Sequence, residues 1–546
     1  MESPADMIFV NGSVITVDPE DRVCEAVAIK GNRIVYVGDS RAAKSYAGSS
    51  TRVLNLNGRT LIPGFIDAHC HAGGYGISKL RVHCGLPLVR SIEDMKREIR
   101  RKAAETPPGA WIVGIGYDHT KLAEGRHPTR SDLDDAARDH PVFVSRVCGH
   151  VGVANTLALE AIGVGRDTPD PPGGKIDKNE NGEPSGILFE VAQAPVRILT
   201  KPSLVEMEIG LKSMDSDFIR YGVTSIQDAS GWNPDEIRLF QKGTAEGWLR
   251  IRISFMVRSA GAGMDLGEKY LLSGLISGFG NERVRLGSYK LLMDGSVGAA
   301  SAAMRSPYKV GSNNFGILYM DQEELNTRVL RAHRAGYQVA IHAIGDRAIE
   351  MSLESFEKAF QAFPGSGQRH RIEHCGWLDE ALIDRIHRLE ILPVLGVPFL
   401  YEHGDSYFRN LEEQRLSCVY PLRSLLKRGI RVALSSDAPV IDPNPMRGIY
   451  CAVSRKTASG RTVSPGEGVN IKQAIRAYTL FGAYASFEER LKGSIEPGKL
   501  ADLVVLSENI LHLPHEELLR VYPVLTMIDG IVVYEKEWQS KRETVT

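Results

Sequence analysis

The chain of 546 residues carries 66 Lys and Arg against 67 Asp and Glu, a net charge of −1. That balance advertises neither nucleic acid nor an anionic membrane as a partner, and leaves a small-molecule substrate as the expectation. The opening MESPADMIFVNGSVITVD has no basic segment followed by a long apolar run, and no later stretch is apolar enough to span a bilayer, so a soluble, cytoplasmic protein is expected. Seven cysteines at 24, 70, 84, 148, 375, 418 and 451, none in a CxxC pair, suit reduced thiols in that compartment.

In chain order, the first elements are short β-like segments, MIFVNGSVITV, AVAIKGNRIVYVGD and TRVLNLNGRTLIPGF, whose NG, GN and NG dipeptides read as hairpin turns. The C-terminus returns to this style with LADLVVLS and YPVLTMIDGIVVYEK, where DG marks another tight hairpin. The two ends are expected to meet in one small β-sandwich domain, residues 1–62 with 490–546.

Between them the pattern becomes strand followed by amphipathic helix. Strands are predicted at 64–71, 222–230, 250–258, 285–295, 338–346, 369–375, 391–399 and 431–440, with helices such as LVEMEIGLKSMDSDFIRYG, QEELNTRVLRAHRAGY and ALIDRIHRLE among them. Eight βα repeats with right-handed crossovers predict an α/β fold, a distorted (β/α)8 TIM barrel over 63–489. A doubly wound open sheet is the alternative.

About 150 residues separate the first predicted strand from the second, far more than a crossover needs. An inserted lobe at 75–200 is therefore expected, with strands of its own (WIVGIGYD, PVFVSRV) and a Gly/Pro/Asp-rich loop or small hairpin at 167–186. Leaving from the C-terminal end of strand 1, it is expected to overhang the barrel mouth.

PGFIDAHCH at 63–71 ends an apolar run in Asp67, His69 and His71. Side chains two apart on a strand share a face, so both histidines can project toward the barrel axis. His342 ends QVAIH, His374 ends HRIEH and Asp437 follows VALSS, which puts imidazoles or a carboxylate at the C-terminal ends of strands 1, 5, 6 and 8. Imidazoles and one carboxylate converging there suit Zn²⁺ or another borderline divalent ion, which lowers the pKa of water and polarises a carbonyl. Lys290, inward on strand 4, has two readings: an ion pair with Asp294 or a neighbouring carboxylate, or a carbamate that bridges two metals.

The ordered set PGFIDAHCH, VAIHAIGD, RIEHC, SSDAPV, KGSIEPGKLADLVVLS and TMIDGIVVYE resembles the amidohydrolase superfamily along nearly the whole chain. GYDH, GRHPTRSDLD, PVFVSRVCGHVGVANTLAL, GEPSGILFE and YKLLMDGSVGAASAAM resemble its amidohydrolase 3, or YtcJ-like, branch, which includes N-substituted formamide deformylases. The resemblance implies His69 and His71 on the more buried metal, His342 and His374 on a second, Lys290 as a carboxylated bridge, and Asp437 as ligand and proton shuttle. Glu190, closing GILFE, is a competing bridge ranked below Lys290. The implied activity is hydrolysis of an amide, N-acyl or N-formyl bond by metal-activated hydroxide, with one or two Zn²⁺ ions as cofactor. A deaminase or cyclic amidohydrolase is the alternative within the superfamily, and a non-catalytic scaffold the alternative outside it. A homodimer is left open.

Among the remaining polar residues, His150 in VCGHVGVAN is a substrate-binding candidate. Asp346 is read as a helix cap, and Asp67 and Asp294 as groups that orient ligands or cap loops. His83, His119 and His127 have no partner legible in the sequence.

Overall fold

The computed structural model describes residues 4–536 apart from 148, 150, 232, 260–264, 312 and 365–366. It contains two compact units, Met1–Gly74 with Met214–Thr546, and Tyr75–Ser213.

An eight-stranded parallel sheet organises the first unit. Its strands, numbered 1 to 8 here, are Phe65–Cys70, Val223–Asp228, Arg252–Arg258, Val284–Leu292, Val339–Ala343, Arg371–His374, Leu392–Leu395 and Ala433–Leu434, neighbours in space as in sequence. Each lies within or against a predicted segment. The sheet closes on itself beyond strand 8, where the Asp437 N–H donates to His69 O and the His71 N–H to Ala438 O, both at 2.8 Å. The fold is thus the predicted distorted barrel, and the open sheet is excluded by these closing bonds.

Local signals explain the helices between strands. Helix Gln322–Arg334 starts at Asp321, whose side chain accepts from Glu324 N, and stops before Gly336 at φ +86°, a left-handed position that suits glycine. Helix Glu380–Arg388 starts likewise at Asp379. The barrel interior is filled by side chains such as Ala229, Met256 and Ala340, contributed by strands 2, 3 and 5 or their ends.

Both termini build two further sheets. One has four strands, including Met7–Val10, Ala26–Lys30, Arg33–Gly38 and Arg52–Asn55; the other has six, among them Ser13–Ile15, Thr60–Pro63, Leu503–Leu506, Pro523–Ile528 and Ile531–Glu535. Phe9, Val27 and Leu54 from the first sheet meet Val14, Leu61, Leu503, Val505 and Leu525 from the second in one core, the packing of a sandwich.

The turn dipeptides behave in two ways. Gly31-Asn32 and Asp529-Gly530 join antiparallel neighbours, as expected. Asp529 and Gly530 take φ +53° and +72°, the backbone of a tight two-residue hairpin. Asn11-Gly12 and Asn57-Gly58, read above as hairpins, instead carry the chain from one sheet to the other, because Met7–Val10 pairs with Ala26–Lys30 and Arg52–Asn55 while Ser13–Ile15 pairs with Val23–Cys24 and Thr60–Pro63. A turn dipeptide shows that the chain bends; which layer receives it depends on where the buried side chains find partners.

The second unit holds a six-stranded mixed sheet. Ile112–Tyr117 runs parallel to Val142–Arg146 and Val82–His83, while Val151–Ala154, Pro184–Glu190 and Gly174–Lys178 are antiparallel. Helix Ile92–Ala104 covers it with Met95 and Ile99, buried against Ile112, Leu133 and Val144. The Gly/Pro-rich segment is the small hairpin Gly174–Lys178 with Pro184–Glu190.

Candidate metal centre

His69 lies on strand 1, His71 just beyond it, His342 on strand 5, His374 at the end of strand 6, and Asp437 three residues past strand 8. The rings form a chain: His71 to His69 at 5.4 Å, His69 to His374 at 4.8 Å, His374 to His342 at 4.5 Å between centroids. Asp437 Oδ1 lies 3.0 Å from His71 Nε2 and 3.4 Å from His69 Nε2. Among the described residues, His69, His374 and Asp437 form one group whose donor atoms fall within 4.8 Å of one another.

Backbone strain makes this convergence possible. His374 and Asp437 sit at φ +64° and +58°, in the left-handed region that bulky L-residues rarely occupy. On a regular strand Glu373 and His374 would point to opposite faces. Here both reach His69, Glu373 by a close hydrogen bond to Nδ1 and His374 by ring contact.

Glu373 is the main group that reading the sequence missed. Its carboxylate, wholly buried, accepts from His69 Nδ1 and from Arg371 Nε and Nη2, the last at 3.0 Å. Arg371, 1 % exposed, also donates to Gln227 Oε1 and, at 2.6 Å, to Ala68 O. The bond to Glu373 puts the His69 proton on Nδ1 and leaves Nε2 as a lone pair. The R-x-E-H spacing in RIEHC was the available signal, since Arg371 and Glu373 share a strand face.

A divalent ion suits these donors. The His69 Nε2 lone pair faces an Asp437 carboxylate oxygen with no proton to join them, an arrangement that a cation resolves. Asp437 Oδ1 and His374 Nδ1 are buried and make no hydrogen bond. Burial holds His69 and His342 well below the usual histidine pKa and pushes His374 down to about 3, so these rings are neutral donors at pH 7. Burial acts to raise the Asp437 carboxyl, but His374 and His71 beside it overcome that and hold it well below its ordinary value.

Lys290 is 2 % exposed, with Nζ 3.5 Å from His69 Nε2, and burial brings its pKa down to about 8. The ion pair with Asp294 is not formed. Asp294 turns instead to three backbone N–H groups, Ala303 at 2.9 Å, Ile344 at 3.0 Å and Gly345 at 2.8 Å, while burial lifts it to about 7. It also lies 3.5 Å from His342 Nε2, which is 3.3 Å from Gly295 O. Asp67 ties strand 1 to strand 8 through Ser436 N at 3.0 Å and the Ser436 hydroxyl, and burial raises it to about 6. Asp346 opens helix Asp346–Ala362 and accepts from Arg305 N at 2.8 Å.

Glu190 closes an exposed strand end in the second unit at φ +49°. His150 lies outside the described residues. His119 and His127 stack at 3.9 Å, with Tyr117 Oη 2.9 Å from His127 Nδ1 and Arg146 Nε 3.2 Å from His119 Nδ1. His83 ends the short strand Val82–His83.

Residues 52–534 match the amidohydrolase family. The chain belongs to that family. Membership makes it a hydrolase acting on carbon–nitrogen bonds. An N-substituted formamide deformylase from Arthrobacter pascens is 29 % identical over 98 % of this chain and 99 % of its own length. The putative amidohydrolase YtcJ of Bacillus subtilis strain 168 is 30 % identical over 97 % and 99 %. The crystal structure of an uncharacterized metal-dependent hydrolase from Pyrococcus horikoshii OT3 superposes with a TM-score of 0.77 at 27 % identity, covering 93 % of this chain and 99 % of that one. Among the described residues no helix of this amidohydrolase is long and apolar enough to cross a membrane.

Proposed function

We propose that this amidohydrolase is a cytoplasmic enzyme that cleaves a non-peptide amide, N-acyl or N-formyl bond of a small molecule at the C-terminal mouth of its barrel. The observation that carries the reading is the pair of buried donors without hydrogen bonds, His374 Nδ1 and Asp437 Oδ1, set against the lone pair of His69. His69, His71 and Asp437 would hold one zinc ion, and His342 and His374 a second, with Lys290 as the carbamate bridge. When bound, zinc supplies Lewis-acid polarisation of the scissile carbonyl and acidifies water.

The chain's own groups do the rest. Asp437, ionised at neutral pH, takes the proton of the attacking water at its carboxylate and returns it to the leaving nitrogen. Glu373 keeps the His69 proton on Nδ1, so Nε2 remains a donor throughout. The depressed pKa of Lys290, about 8, keeps part of its amine neutral, the form that adds CO₂. The formamide named for the Arthrobacter pascens relative makes N-formyl amines the first substrates to try.

The test is hydrolysis of matched N-formyl, N-acyl and cyclic amides by zinc-loaded protein. At least one amide is expected to turn over, chelation to abolish activity, and Asp437→Asn to lower kcat by about 10²- to 10⁴-fold with little change in KM. Turnover that survives both chelation and Asp437→Asn refutes the reading.

A further inference from the structure

His71 is the most exposed of the four site histidines, at 29 %, and its polar neighbour is Asp437 at 3.0 Å. His69 is held by Glu373 and His342 by Gly295 O, whereas the contacts around His71, apart from Asp437, are made by the backbone at and just after it. Its own N–H is held by Ala438 O at 2.8 Å. The next two N–H groups, of Ala72 and Gly73, donate to Asp228 Oδ1 at 2.8 Å and Glu236 Oε1 at 2.7 Å.

These two carboxyls are out of water, at 1 % and 6 % exposure. Asp228 ends strand 2 and is oriented by the Ser230 hydroxyl at 3.0 Å and the Ser230 N–H at 3.3 Å; Glu236 comes from helix Pro234–Glu246. A Cβ at Gly73 would stand 2.1 Å from Glu236 Oε1, so a side chain there would push the carboxylate off the Gly73 N–H. Burying two neighbouring carboxyls is costly. What they hold is the turn that immediately follows a site histidine.

We propose that Asp228 and Glu236 are positioning residues for His71. By holding the Ala72 and Gly73 amides they fix the turn that aims the imidazole at Asp437, and so set how tightly the site binds a divalent ion. The inference rests on His71 being a metal ligand, as in the reading above, and it extends that reading to groups that act on His71 through the backbone.

The experiment is zinc affinity by chelator competition on the full-length protein, with melting curves as a folding control. Glu236→Ala and Gly73→Ala attack the same bond from opposite sides. Each is expected to weaken zinc binding about 10- to 100-fold, the usual effect of removing a group that orients a ligand. Glu236→Gln, whose amide oxygen can still accept the Gly73 N–H, is expected to stay within about threefold of wild type. In a His71→Ala background, Glu236→Ala is expected to add no further loss, because the group it acts through is gone.

Wild-type affinity in both alanine variants overturns the inference alone, as does an equal loss with and without His71, which would mark a general structural role. Wild-type protein that holds no zinc overturns the metal reading and this inference together.

Discussion

Glu373→Gln tests the interior of the site most directly. The substitution keeps the side-chain volume but removes the charge facing Arg371, whose guanidinium is 1 % exposed. Removing one partner of a buried ion pair costs about 3–5 kcal/mol, and Arg371 keeps Gln227 Oε1 and Ala68 O, so the lower end, about 3 kcal/mol, is expected. The same change takes the anionic acceptor from His69 Nδ1, and loss of such a partner weakens metal binding about 10- to 100-fold, or about 1.4 to 2.7 kcal/mol. Chelator competition for zinc and chemical denaturation of the apo-protein measure the two effects separately. A double-mutant cycle with Arg371→Met sharpens the result, since the pair shares two hydrogen bonds and coupling above about 1 kcal/mol is expected. A Glu373→Gln protein with wild-type zinc affinity and stability would refute the role assigned to this carboxylate.

Three further outcomes follow from the geometry. His370 is buried against Phe356 and Phe360, its Nδ1 accepts from Val339 N at 3.0 Å, and burial pushes its pKa down to about 3. Because the unfolded chain binds this proton below about pH 6.5 and the folded one does not, its contribution to stability is full above that pH. It is lost by up to about 1.4 kcal/mol per pH unit as pH falls toward 3, so denaturation of apo-protein should show a shallower acid slope in His370→Gln. Asp294→Ala strips three buried N–H groups of their acceptor at about 1–3 kcal/mol each, and should lower the melting temperature more than Asp294→Asn, which keeps an acceptor oxygen. Gly76→Ala should destabilise the inserted unit by about 1–3 kcal/mol, seen as faster proteolysis there, since its Cβ would meet the Gly210 carbonyl carbon at 2.4 Å.

Much of the architecture was legible beforehand. Hydrophobic runs bounded by glycine and capping residues located all eight barrel strands, because strand and helix periodicity are local properties of a chain. The i, i+2 spacing of His69 and His71, together with histidines or aspartate at the same end of three other strands, pointed to a common site, because a closed parallel sheet brings those ends together.

Tertiary structure decided which groups meet. The bond between Glu373 and His69 spans 304 residues, and that between Asp228 and Ala72 spans 156; the R-x-E-H spacing marks Glu373 as a polar group on the strand, but nothing local to either end names its partner. Asp294 sits four residues from Lys290, yet three amides brought by other segments claim its carboxylate. The Asn11-Gly12 and Asn57-Gly58 turns bend as their residues dictate, but a second sheet in reach made them sandwich corners where a hairpin was expected. Local sequence determines how the backbone bends and which face is apolar. The partner of a buried polar group is chosen by competition among all donors and acceptors that folding brings within about 3 Å, and that competition exists only once the chain is closed.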